Sequence, residues 1–171
     1  MPITTGDIEY RLSGGTNNTD PDASIGGGIS TTTITTGIDN NLWDDVTGDE
    51  ANNGSIEYRC FYIINTHATI TWRSVKVWIQ TLTTSLNDEL DIGVAPEGTN
   101  GTAELIGDEV TPPATVSFVR PTNKTHSDSL SIGDLAPSEY FPIWTRRTVD
   151  SLASAKNANS GTIRAEGDTA E

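Results

Sequence analysis

Two alternating apolar runs separated by a short polar connection constrain this chain more than any other feature. Residues 55–66 read SIEYRCFYIINT and residues 75–80 read VKVWIQ, with HATITWRS between them. Ile56, Tyr58, Cys60, Tyr62 and Ile64 occupy one phase of a period-two pattern, and Glu57 and Arg59 the other. That pattern predicts a strand with its first phase in a core and its charged phase facing away. At Phe61 and Ile63 the second phase turns apolar, so the later half of the strand is expected to be covered on both faces. Val75, Val77 and Ile79 repeat the alternation, with Lys76, Trp78 and Gln80 facing away. β-Branched and aromatic residues dominate both runs, as strands prefer.

The rest of the chain reads the same way. Ile8, Tyr10 and Leu12 (DIEYRL) predict an edge strand or an arm. Leu90, Ile92 and Val94 (ELDIGVA), Val116 and Phe118 (TVSFV), Leu130 and Ile132 (SLSI), residues 139–147 (EYFPIWTRR) and residues 162–166 (TIRAE) predict further strands. Residues 29–38 (ISTTTITTGI) suit an extended edge, residues 102–110 fit either a short strand or a loop, and residues 151–156 a single helical turn. No long amphipathic helical run occurs. The expected fold is therefore all-β: a β-sandwich, immunoglobulin-like or jelly-roll-like, of about eight strands. Residues 29–171 are read as one sandwich domain. Residues 1–28, ending in the Gly-, Asn- and Asp-rich stretch SGGTNNTDPDASIGGG, are read as an N-terminal arm and flexible loop. The run Leu135-Ala136-Pro137-Ser138-Glu139-Tyr140 resembles the inter-sheet corner of immunoglobulin-like and fibronectin-like sandwiches, in which a tyrosine hydroxyl bonds nearby backbone.

With 171 residues the chain is long enough for one domain with a sizeable core. Its formal charge of −14 argues against nucleic acid and against anionic membrane surfaces, both of which would repel it. Only three of the ten basic residues are lysines: Lys76, Lys124 and Lys156. An acidic, lysine-poor, threonine-rich surface suits a protein kept soluble in concentrated salt, and an ordinary acidic protein accounts for it equally. The single Cys60 excludes an intrachain disulfide and is read as a small buried hydrophobe. The start MPITTGDIEY has neither the basic nor the apolar region of a signal peptide, and no apolar run reaches membrane-spanning length.

Candidate sites are few. Asp44, Asp45 and Asp49 (with Glu50) share one loop, and Asp88 and Asp91 (with Glu89) flank a strand start. Such clusters can offer calcium its oxygen ligands, although neither has EF-hand spacing, and solvated surface charge is the plainer reading. His67 and His126 lie in separate polar segments with no third ligand implied. No GxSxG, HExxH or phosphate-binding glycine loop is present, so no catalytic residue, metal or cofactor is assigned. Trp78 either packs under a neighbouring loop or anchors a partner. Trp144 precedes the paired bases Arg146 and Arg147, which either meet an acidic partner or pair with the chain's own carboxylates. These four residues are the candidate partner-binding set.

The segments LWDDVTGDEANNGSIEYRCFYIINTHATITWRSVKVWI and LSIGDLAPSEYFPIWTRRTV, with the start DIEYRLSGG, resemble virion structural proteins of tailed viruses of bacteria and haloarchaea. That resemblance implies a non-enzymatic β-sandwich in the virion. Its expected role is capsid decoration (cement) on the outer surface of the major capsid protein shell, as a homo-oligomer such as a trimer. A tail, baseplate or turret component is the alternative within the same particle. A carbohydrate- or calcium-binding sandwich, with Trp43, Trp78 or Trp144 stacking on sugar, is the alternative of another class.

Overall fold

The computed structural model describes residues 2–169. Seven strands form two wholly antiparallel sheets. They are β1 (Ile8–Leu12), β2 (Ser55–Asn65), β3 (Trp72–Thr81), β4 (Asp88–Val94), β5 (Leu130–Leu135), β6 (Tyr140–Val149) and β7 (Thr162–Thr169). The four-stranded sheet has the order β1-β2-β6-β4 and the three-stranded sheet β5-β3-β7. The expected β-sandwich is therefore present. One short helix, α1 (Gly48–Asn53), sits in the acidic loop before β2. Thr47 caps it with a reciprocal bond to Glu50, the arrangement that satisfies exposed N-terminal amides.

The two alternating runs of the sequence lie in opposite sheets and face each other across the interior. Phe61 and Ile63 of β2, Phe141 and Ile143 of β6 and Ile92 of β4 pack against Val75, Val77 and Ile79 of β3. The expected phase of β2 is thereby corrected. The interior takes the phase of Glu57, Arg59, Phe61 and Ile63, and both charged residues are buried. Tyr58, Cys60 and Tyr62 point to the outer face of the sheet, where they form a second core with Trp144, Ala95, Ala103 and Ile106. Cys60 is fully buried there, and burial pushes its thiol well above the usual range.

Loops build the cover over that second core. Residues 13–28 follow β1, which pairs along β2 from Ile8↔Asn65 to Leu12↔Phe61. Their backbone then continues the edge of the sheet, with the Cys60 amide donating to the Ser24 carbonyl at 2.7 Å. The Tyr62 hydroxyl donates to the Gly27 carbonyl at 2.6 Å and accepts from the Ala103 amide at 2.9 Å, tying both loops to the sheet. The stretch read as an N-terminal arm and flexible loop is thus tied to the sheet. β1 is its edge strand, and in residues 13–28 backbone polar groups and two buried serines, Ser13 and Ser24, are built into the fold. Gly26 stands where the two loops cross. Its φ is +98°, and a β-carbon there would overlap the Glu104 carbonyl. Gly26→Ala is expected to cost about 1–3 kcal/mol by overpacking and backbone strain, read as a lower urea midpoint.

Three local expectations are also revised. Residues 116–118 form no strand; Val119 makes an isolated bridge to Ile92, because Gly93 lets this segment cross β4 with the Ser117 carbonyl only 2.8 Å from where a β-carbon would stand. Residues 151–156 form a turn rather than a helical turn. At the corner before β6 the Glu139 side chain accepts from the Ala136 amide at 2.8 Å, and the Tyr140 ring packs edge-on against Tyr62. No hydrogen bond from the Tyr140 hydroxyl occurs among the described residues, so the tyrosine corner is not formed.

Candidate functional site

The densest concentration of chemistry lies at the end of the sandwich where β2 begins and β6 ends. Glu57 and Arg147 are directly opposed in the β2–β6 register, both pointing inward. Arg147 donates to Glu57 through Nε at 3.0 Å and NH2 at 2.5 Å, to the Asp44 carbonyl at 2.6 Å and to the Asp44 carboxylate at 3.0 Å. Two guanidinium groups lie over the Trp43 ring, Arg147 at 5.0 Å and Arg59 at 5.2 Å from its centroid. Stacking on a partly desolvated indole stabilises each cation. Arg59, fully buried along its side chain, reaches the sheet edge to meet Glu109 at 2.5 Å and Asp22 at 3.5 Å. The segment 43–54, including α1, is thus strapped over the open end of the interior.

Within this cluster Glu57 has an unusual titration. It is 2% exposed, and burial, reinforced by a hydrogen bond to the Glu50 carboxyl, raises its pKa to about 7 against the pull of Arg147. The same contact holds Glu50 below the usual carboxylate range. A carboxyl poised near neutrality is a property that acid–base catalysts share. Here it is engaged by Arg147 and by Glu50 of α1, so it also fastens the strap to the sheet. A second cluster lies on the outer side of β4. Asp91 accepts from Arg120 at 2.8 Å and from Arg146 at 2.7 Å, while Arg146 also lies over the Phe118 ring. Arg120 meets Glu89 as well, and its pKa is raised by these carboxylates.

Arginines and amides occupy several of the positions that the sequence offered to a cation. Asp44 is held by Arg147 and Asp91 by Arg120 and Arg146. Asp88 accepts from Asn159 at 2.5 Å, and burial raises its pKa. Asp45 and Asp49 are exposed on the strap. Among the described residues no group of three or more His, Cys, Asp or Glu is placed to hold a metal ion. His67 Nδ1 accepts from the Thr69 and Ile70 amides, and His126 Nδ1 from the Asp128 amide, so each organises a turn.

The aromatic candidates also fall inside. Trp144 is fully buried in the second core, and Trp78 is 5% exposed beneath Arg164, whose guanidinium lies 5.7 Å from the ring centroid. Neither offers a partner its face in this fold. Arg147 and Arg146 take the pairing with the chain's own carboxylates. The sequence reading missed Glu57, Arg59 and Trp43 as members of one cluster, because its contacts run across the register of two strands 90 residues apart.

Scans against protein-family models, curated proteins and solved structures found no match to this chain.

Proposed function

We propose that this chain is a non-enzymatic virion structural protein, a capsid decoration protein bound as a homo-oligomer to the outer surface of the major capsid protein shell. The observation that carries the reading is the pairing of its arginines within the chain. Arg59, Arg120, Arg146 and Arg147 are all tied to carboxylates of the same chain. The groups that would otherwise recognise or transform a ligand therefore brace a sandwich clad on its outer face by loops. Such a body suits passive attachment. A partner that binds only the assembled shell stabilises that shell by mass action. The acidic exterior keeps the free protein dispersed until it binds.

Copy number in purified particles tests this, measured by quantitative mass spectrometry against the major capsid protein. About one copy per capsid subunit is the expected result. A small fraction would move the chain to tail, baseplate or turret, and absence from the particle would end the virion reading. Deleting residues 1–28 is not a useful probe of attachment, since it removes β1 and the loop to which Cys60 and Tyr62 are bonded.

A further inference from the structure

Four exposed apolar side chains lie on segments that meet at one end of the sandwich. Leu86 is 90% exposed and Leu152 78%, the two highest values among the large apolar residues, and Ile56 and Leu82 are each about half exposed. Ile56 opens β2, Leu82 follows β3, Leu86 precedes β4 and Leu152 follows β6. These elements meet at the pole because Ser55, Val149 and Asp88 are in register across the four-stranded sheet.

The leucines stand on a braced platform. The Asp150 amide donates to the Asn87 carbonyl at 2.9 Å, and the Ala153 amide to the Ala51 carbonyl of α1 at 2.9 Å. Asn159 bridges the remaining loop, accepting from the Ser85 amide at 2.9 Å and donating to Asp88. Three loops are therefore fixed relative to one another. A braced backbone removes the loop-ordering part of the cost of binding, which raises the affinity available from a small contact.

Charge selects the occupant. Asp45, Asp49 and Asp150 are exposed on these segments, and Lys156 is the one cation among residues 150–161. A second copy meeting this pole through the same surface would set these carboxylates against themselves, as an isologous contact requires. A basic surface with apolar depressions is complementary in both respects.

We propose that this pole, centred on Leu86 and Leu152, is the attachment surface of the chain and that its occupant is a basic, apolar-pocketed protein surface. The inference rests on the decoration reading, and in that reading the occupant is the outside of the capsid shell.

The test adds purified protein to particles stripped of it and measures bound copies against free concentration. Wild type, Leu86→Asp/Leu152→Asp and the control Leu105→Asp are compared, Leu105 being an exposed leucine on the loop layer. The altered side chains are solvent-facing, so unchanged thermal melts are expected for all three proteins. The double variant is expected to bind at least 10-fold more weakly, and the control like wild type. Equal binding by the double variant overturns the pole and leaves the decoration reading standing, as does a loss confined to Leu105→Asp. No binding by wild type overturns both. Wild-type oligomers in sedimentation that dissociate on the double substitution would show the pole to be covered by a second copy, and would overturn the proposal too.

Discussion

Arg147→Ala is expected to lower stability at pH 8 by about 3–5 kcal/mol, the range for removing one partner of a buried ion pair. At this chain length that corresponds to a fall in Tm of roughly 10–15 °C. The substitution takes from Glu57, which is 2% exposed, the guanidinium that favours its ionised form, so the buried carboxylate must either stay unpaired or take up a proton. It also releases the Asp44 carbonyl and carboxylate and removes one of the two cations over Trp43, so the strap over the interior loses its main fastening. Two controls separate these effects. Arg147→Met combined with Glu57→Gln retains volume without an unpaired charge, and is expected to recover more than half of the loss. At pH 5, where Glu57 binds a proton, Arg147→Ala alone is expected to cost less than at pH 8. An equal cost at both values would mean that the guanidinium acts through packing on Trp43 and bonding to Asp44, not through Glu57.

The contrast between what was legible in the sequence and what was not follows from the same cluster. Strand positions were readable because alternation of Ile, Val, Tyr and Phe leaves few alternatives, and β2, β3, β4 and β6 all coincide with such runs. The face of β2 was not readable. Glu57 and Arg59 look like a solvent phase, and only their cross-strand and loop partners make the interior habitable for them. Arg147 directly opposes Glu57, but register is a property of the pair of strands and leaves no mark on either one. The Gly- and Asn-rich stretch 13–28 misled for the opposite reason. Its order comes from backbone bonds such as that between the Cys60 amide and the Ser24 carbonyl, which composition does not report. Trp144 and Trp78, the natural anchors in a one-dimensional reading, were absorbed by a loop layer and by Arg164.

Stability is expected to fall as pH rises from about 4.5 to 7, and Glu57 is the reason. Its carboxyl titrates near 4.5 in the unfolded chain and at about 7 in the fold. The folded state therefore holds a proton through this window that the unfolded state has released. The contribution is fully present below the lower value and is lost as pH passes the upper one. A gap of this size corresponds to about 3 kcal/mol in all, of which about 1 kcal/mol disappears between pH 6 and pH 8. The groups facing Glu57 act in both directions. Arg147 favours the ionised form and Glu50 the protonated one. Glu50 itself is lowered, so its contribution is lost only as pH falls below the ordinary carboxylate range. Asp88 is raised from 3.8 by burial and adds to the loss on the acidic side of the window. Urea unfolding at pH 6, 7 and 8 isolates Glu57, because ordinary carboxylates are already ionised there. Glu57→Gln cannot ionise but keeps a hydrogen-bonding side chain against Arg147, and it leaves His67 and His126 in place, so the two profiles differ only at residue 57. The wild type should lose about 1 kcal/mol more than Glu57→Gln across these three values. Parallel profiles would place the Glu57 pKa in the ordinary range and make the pair with Arg147 a fixed ion pair at every pH above 5.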